Sequence, residues 1–277
     1  QHKYAQTALI LSTNQCASYC RHCFRRRLVG LSGDEIMKRF DAIENYVAEH
    51  KEINNILISG GDSLCQDNHM IKRYLDTFSK MEHLDFIRFG TRIPVVFPQR
   101  IINDPELVTM FREYNNIKPI YIVTHFNHPR EITKESTLAV KLLRDAGIIV
   151  KNQTVLLKGV NDDADTLAQL LQGLTRIGVV PYYIFQCRPV CGVKTQFQIP
   201  LALGYDIVEK AKAQQNGQGK CLKYIMSHQS GKIEITGKID DTHLMMKYHQ
   251  SKDPSQYGIT YIKELPVDET WLKEDHL

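Results

Sequence analysis

Cys16, Cys20 and Cys23 stand at offsets of four and three in the run Cys16-Ala17-Ser18-Tyr19-Cys20-Arg21-His22-Cys23, directly after the apolar residues 7–11. Thiolates this close together, on a loop that closes a strand, are metal ligands by type and by spacing. Zinc takes a pair of cysteines and then a distant second pair or a Cys/His pair, and nothing downstream supplies that pair at the right spacing. A cubane iron–sulfur cluster takes four thiolates. With three, one iron stays open to a small molecule, as the fourth position of a catalytic metal does. A structural zinc site and three unrelated core cysteines are the alternatives. The tight triplet after a strand, followed by Arg25, Arg26 and Arg27, argues against both.

Other candidates fall at the ends of β-rich runs. Gly60 and Gly61 let backbone approach a ligand closely, and Asp62 beside them can accept from an ammonium group. Arg92 offers a planar fork suited to a carboxylate or phosphate, whereas Arg100 reads as a surface arginine. His125 and His128 lack a carboxylate or third histidine to complete a metal site. His125 therefore reads as a hydrogen-bonding partner of a ligand, and His128, before Pro129, as structural. Asn152-Gln153 supply amides suited to a nucleoside; Asn161-Asp162 supply amides or cap the next helix. Tyr182 and Tyr183 are expected to alternate between barrel and helix faces, with Arg188 facing the mouth. Cys187, Cys191 and Cys221 read as unrelated thiols.

These residues need a scaffold that gathers strand ends. Strands are expected at 7–13, 55–59, 86–89, 120–124, 148–155 and 179–185. Helices are expected at 33–51, 70–80, 104–114, 134–146, 164–176 and 203–214. Asp34 opens the first of these ahead of Ile36, Met37, Phe40, Ile43 and Val47, and Thr133 with Ser136 opens the fourth. Six strand–helix units imply an α/β fold with a parallel sheet and right-handed crossovers. Six falls short of a full TIM barrel's eight, so a partial (β/α)6 barrel fits, with its chemistry on the loops at the strand C-terminal ends. Residues 1–219 are read as this barrel. Residues 220–277, with short strands at 222–227, 232–236, 244–247 and 259–263 and turns at Gly231, Gly237 and Gly258, are read as a β-rich C-terminal extension that caps it.

Composition narrows the class. The 277 residues are 43% hydrophobic and 24% charged, ordinary for a globular enzyme. A net charge of +4 without a long basic run gives nucleic acid binding no support. No apolar stretch reaches membrane-spanning length and no signal peptide is visible. Seven cysteines, three of them clustered, point to a reducing cytoplasm rather than a disulfide framework. The chain opens on Gln1 and enters its first strand within a few residues, so a preceding segment is expected to be missing.

The stretches CASYCRHCFRRR, ISGGDSL, RFGTRIPVVFPQRI, THFNHPREIT, NQTVLLKGVND and PYYIFQC resemble the lysine 2,3-aminomutase family of radical S-adenosylmethionine (SAM) enzymes over nearly the whole barrel. The resemblance implies a [4Fe-4S] cluster on Cys16, Cys20 and Cys23, whose open iron chelates SAM's amino and carboxylate groups. An electron from the cluster then releases a 5′-deoxyadenosyl radical. It also implies pyridoxal 5′-phosphate (PLP), because an amino group moving from C2 to C3 needs a π-system that a bare ammonium lacks. Carried over by position, Gly60, Gly61 and Asp62 match the motif for SAM's amino group, and Arg92 is grouped with the cofactor-binding residues. Arg25 would bind the substrate carboxylate, and His125 and Gln153 would contact SAM. Lys232, in Ser230-Gly231-Lys232-Ile233, is the counterpart of the Schiff-base lysine, which must lose its proton to attack. The alternation Lys232-Ile233-Glu234-Ile235 equally suits a solvated lysine in an ordinary strand.

Four departures shape the expected function. The family's lysine enzymes place an aspartate after QC for the substrate's ε-ammonium; here Arg188 stands there. An arginine repels an ammonium and attracts an anion, which favours an acidic amino acid such as glutamate over lysine. The glycine-rich lead-in to the PLP lysine is reduced to Gly231, with Met226-Ser227-His228 where the family's second acidic position falls. The C-terminal zinc-binding cysteines and the N-terminal helical segment of the family are absent from the chain, which leaves a homo-oligomer open. The leading expectation is a PLP- and SAM-dependent 2,3-aminomutase supplied with electrons by flavodoxin or ferredoxin. The alternatives are a PLP-independent mutase, epimerase or dehydrogenase acting on an anionic small molecule, and an iron–sulfur module without catalysis.

Overall fold

The computed structural model describes residues 1–27, 29 and 39–273. A short strand β1 (His2–Tyr4) folds back antiparallel on β2 (Thr7–Thr13). From β2 the chain alternates: α1 (Phe40–Glu49), β3 (Asn55–Gly60), α2 (Asn68–Phe78), β4 (Phe86–Gly90), α3 (Pro105–Ile117) and β5 (Ile120–Thr124). It continues through α4 (Lys134–Asp145), β6 (Ile149–Leu156), α5 (Ala164–Arg176), β7 (Val180–Gln186), α6 (Leu201–Ala213) and β8 (Lys223–Ser227). An antiparallel run, β9 (Gly231–Lys238), β10 (His243–Ser251) and β11 (Thr260–Glu264), completes the described chain. All these strands form one open sheet in chain order. Of the first expected helix, α1 is the described part; Asp34, Ile36 and Met37 lie outside the described residues.

Local chemistry sets these elements. Asp67, Asp104 and Asp163 accept from backbone N–H groups at the starts of α2, α3 and α5. Thr133 and Ser136 form the reciprocal capping box that opens α4. The cap of α5 is thus Asp163 and not Asn161-Asp162; Asn161 is buried and ties Leu157, Val155 and Asn127 together. Alternate strand residues face the helices: Ile56, Ile58, Ile87, Phe89, Ile120 and Ile122 share one core with Ile71, Leu75 and Phe78 of α2. Each fully buried side chain of this size contributes about 1.5–3 kcal/mol, so this layer holds the sheet's outer face.

Strands β2 to β8 are parallel, which is one strand more than the six-unit reading. β8 falls in the segment read as extension, but α6 returns the chain across the sheet and sets Lys223 beside Tyr183 of β7. The antiparallel extension therefore grows out of the barrel's last strand. Gly231 and Gly237 lie inside β9 rather than at turns; a Cβ at Gly231 would meet the Gln250 carbonyl at 2.2 Å. Gly258, at φ +80°, is a turn residue. The register shifts between Asn152 and Gln153, where β6 meets β7. Tyr182 and Tyr183 consequently do not alternate but stack at 3.8 Å, with Tyr183 donating to the Tyr182 hydroxyl at 2.9 Å.

The face turned away from the helices decides what this scaffold can hold. A full barrel fills its interior with branched aliphatic layers. Here Arg88, Lys151, Gln153, Lys223, Lys232 and Glu234 sit half-buried on it. Lys3 of β1 donates to the His228 carbonyl just past β8 at 2.6 Å, drawing the two ends of the parallel run toward each other.

Candidate active site

The three cysteines follow β2 in a tight loop, with Cys20 N–H donating to the Ser18 carbonyl and Cys23 N–H to the Cys20 carbonyl. The Cys16 and Cys20 sulfurs both lie against that Ser18 carbonyl, at 3.0 and 3.7 Å. Burial pushes the Cys16 and Cys23 thiols up, so their thiolates need a cation to form. Among the described residues no three Cys, His, Asp or Glu groups converge on a single ion, and a cubane's corners keep its ligands wider apart than one ion does.

Glycine at 60 and 61 is explained by the same loop. A Cβ on Gly60 would lie 2.1 Å from the Thr13 carbonyl, and one on Gly61 2.1 Å from the Gln15 carbonyl. Gly60 also has φ +139°, a conformation side chains avoid. The close approach is thus to the backbone leading into Cys16. Asp62 is buried and turned inward: it accepts from Leu64 N–H at 3.1 Å, the Thr91 hydroxyl at 2.5 Å and Arg92 N–H at 2.6 Å. Burial pushes its carboxyl up, opposed by those hydrogen bonds. The carboxylate is thereby spent on fastening the ends of β3 and β4 together.

Arg92 is clamped in turn. Its Nε donates to the His125 carbonyl at 3.1 Å, Nη2 to Glu131 at 2.7 Å and Nη1 to the Cys20 sulfur at 2.8 Å. His125 Nε2 lies 3.2 Å from His22 Nε2 and 2.9 Å from Asn127 Nδ2. Burial, reinforced by Arg92, lowers His22 to about 4 and holds His125 well below the ordinary value, so both rings are neutral near pH 7. Gln153 stands half-buried on β6, its backbone bonded to the His125 ring. Arg100 binds Asp104, Asn68 and the Gln66 carbonyl, and His128 caps the turn Pro129–Glu131. Cys187, Cys191 and Cys221 are all free.

The other side of the mouth is built from cations. Arg25 donates to the Ser59 hydroxyl at 2.8 Å and the Gly60 carbonyl at 3.2 Å. Arg188, just past β7, donates to the Ser227 hydroxyl at 2.8 Å. The two guanidiniums both lie over the Phe24 ring, at 4.9 and 4.7 Å from its centre. Neither forms an ion pair with a carboxylate among the described residues, and burial disfavours the charge of both. Lys232 on β9 lies over the Tyr183 ring at 4.8 Å and the Tyr4 ring at 5.9 Å. Burial first, then the charges of Arg88 and Lys3, lower its amine to about 7. Tyr183 meets His249 at 2.7 Å beneath it. Lys3, Tyr4 and His249 had no sequence signal: β1 and β10 are short or ordinary strands that only the curvature of the sheet brings here.

A profile of the radical SAM superfamily matches residues 10–171, more than half of the chain. An Aquifex aeolicus protein carrying a provisional L-lysine 2,3-aminomutase name is 42% identical over 276 residues, covering 99% of this chain and 73% of its own. This chain belongs to the lysine 2,3-aminomutase family of radical SAM proteins. The L-lysine 2,3-aminomutase of Clostridium subterminale is 41% identical over 217 residues, 78% of this chain and 51% of that one. The glutamate 2,3-aminomutase of Clostridioides difficile is 40% identical over 217 residues, 78% of this chain and 50% of that one. The chain thus spans about half the length of these two relatives. A radical SAM methyltransferase structure from Sphaerobacter thermophilus shares the fold, with TM-score 0.55 and 16% identity over 80% of this chain and 66% of that one.

Membership implies a [4Fe-4S] cluster and SAM, and the residues present fit both. Three gathered thiols form the donor set, and two buried polar atoms at strand ends, Asn14 Nδ2 just past β2 and Thr124 Oγ1 at the end of β5, have no protein partner. Such orphaned groups suit a polar ligand at the strand ends. No helix among the described residues is long and apolar enough to cross a membrane.

Proposed function

We propose that this chain is a SAM- and PLP-dependent 2,3-aminomutase whose substrate is an amino acid with an acidic side chain, glutamate being the best fit. One observation carries the reading: Arg25 and Arg188 stand half-buried, 4.9 and 4.7 Å from the Phe24 ring centre, without a carboxylate partner among the described residues. An unpaired buried cation is costly, and a ligand anion at each would offset that cost. A dicarboxylate supplies two. An ε-ammonium at Arg188 would meet repulsion, which rejects lysine. The chain's relatives include enzymes named for both lysine and glutamate, so the family accommodates either.

Cys16, Cys20 and Cys23 would hold the cluster, with the strand ends around Asn14, Gly61, His125 and Gln153 receiving SAM; Asp62 fastens this wall from behind. Lys232 is the residue for PLP, and the Lys3 ammonium nearby is suited to an anionic group of the same ligand. Together the cluster and SAM supply a carbon radical for hydrogen abstraction, and PLP supplies the π-system for nitrogen migration. Arg25 and Arg188 orient the substrate by its two carboxylates, which fixes the carbon presented to SAM. Lys232, neutral above about pH 7, is ready to add to an aldehyde. Strands β2 to β8 and their helices serve as the radical-generating barrel and the antiparallel run β9 to β11 as its cap, with electrons drawn from a flavodoxin- or ferredoxin-type donor in a reducing cytoplasm.

The experiment is a substrate panel on anaerobically reconstituted protein with SAM, PLP and reductant, read by mass spectrometry. The expected product is the 3-amino isomer of glutamate, with none from lysine. Turnover of lysine alone would overturn the substrate reading. Turnover that persists without PLP and in Lys232→Ala would instead support PLP-independent chemistry on an anion.

A further inference from the structure

The clamp on Arg92 has a direction. The residue follows β4, and its backbone N–H is tied to Asp62, which is itself fastened to Leu64 and Thr91. Nε is held by the His125 carbonyl beyond β5, and Nη2 by Glu131, whose other oxygen accepts from Asn127 N–H at 2.6 Å. Two strand ends and a helical turn therefore fix a planar group whose remaining arm reaches the Cys20 sulfur at 2.8 Å. Among the described residues Cys20 is the one cysteine of the three whose sulfur meets a charged side-chain donor at hydrogen-bonding distance. An arginine meant to move with a ligand would not be built this way.

We infer that Arg92 is a positioning residue that sets the reduction potential of the cluster through its hydrogen bond to the Cys20 sulfur. Reduction adds negative charge to the cluster and its ligand sulfurs, so an N–H donor aimed at one of them stabilises the reduced form more than the oxidised form. Glu131 balances the guanidinium's net charge at 2.7 Å, which leaves the directed hydrogen bond as the principal effect on the sulfur. The arginine thus favours uptake of the electron. This rests on the three cysteines holding a cubane, and it differs from the sequence expectation that Arg92 offers its fork to a cofactor's carboxylate or phosphate.

The test is an EPR-monitored potentiometric titration of reconstituted wild type, Arg92→Gln and Arg92→Lys, without SAM. A wild type lacking a cubane signal would fail the cluster reading itself, and is scored before any variant. With the cubane present, Arg92→Gln is expected to show a more negative midpoint, and Arg92→Lys, which keeps a single donor without the fork, an intermediate one. Iron-loaded variants with the wild-type midpoint would overturn the inference. Should Arg92→Gln load no iron, Arg92→Lys decides by the same criterion. Failure of both to load would also overturn it, because Arg92 would then be a requirement of assembly rather than a setting on potential.

Discussion

The two sides of the barrel mouth spend their charged groups differently. On the β2–β5 side, Asp62, Thr91, Arg92, His125, Asn127 and Glu131 satisfy one another in a closed network that ends on a cysteine sulfur. On the β7–β9 side, Arg188 and Lys232, together with Arg25 reaching across from the end of β3, are half-buried cations whose polar contacts among the described residues are hydroxyls, a carbonyl and aromatic faces. A self-satisfied network holds a fixed geometry, as a resident cofactor requires. Buried cations without acids are a destabilising arrangement that an anionic ligand relieves. One side is finished as a scaffold; the other is finished by what binds to it.

Substitutions can break that contrast in a graded way. The largest effect belongs to the sulfurs: Cys16→Ala, Cys20→Ala and Cys23→Ala should each abolish cubane assembly, seen as loss of stoichiometric iron and sulfide. A variant retaining a full cubane would contradict the donor set. Arg188→Asp should lower turnover of an acidic amino acid by about 100-fold or more and admit a basic one, because the sign of the charge is reversed. Unchanged preference would place substrate selection elsewhere.

Smaller effects probe the scaffold. Gly61→Ala pushes a Cβ to 2.1 Å from the Gln15 carbonyl, and should cost roughly 3 kcal/mol of stability and lower iron loading. Wild-type unfolding curves would show that the loop can shift freely.

Lys232 offers a test by pH. Its lowered amine means that borohydride trapping with PLP should rise with a midpoint near about 7, rather than near the ordinary lysine value. The same shift has a stability sign. Between about 7 and 10.5 the unfolded chain holds a proton that the folded chain has lost, so the cost of burying Lys232 is fully present below about 7 and fades as pH rises. Lys232→Met should therefore stabilise the apoprotein by about 1–3 kcal/mol near pH 6, and by less near pH 9. Equal gains at both values would mean that the amine is solvated.

Most of the barrel was readable from periodicity. The strands at 7–13 and 120–124 and the helix at 164–176 have the expected bounds, because their alternation or 3.6-residue spacing is strong. What escaped depended on distant partners. β8 looked like the start of the extension because its parallel pairing is visible only once α6 has crossed the sheet. The Tyr182–Tyr183 stack needed the register shift against β6. In the site, residue types showed where chemistry gathers but not which way side chains turn. Asp62 and Arg92 look like ligand-binding groups in sequence, yet both are engaged with protein atoms. Lys3 and Tyr4 carried no signal, since their nearness to Lys232 and Arg188 comes from the approach of β1 to the end of β8.

The most direct measurement is isotope transfer. Reconstituted protein is incubated with SAM, PLP, reductant and glutamate deuterated at C3, and the 5′-deoxyadenosine is analysed by mass spectrometry. A substrate held by its α- and side-chain carboxylates at Arg25 and Arg188 predicts deuterium in the deoxyadenosine from glutamate and none from C3-deuterated lysine. Label arriving from lysine and not from glutamate would contradict the assignment of the cationic side of the mouth.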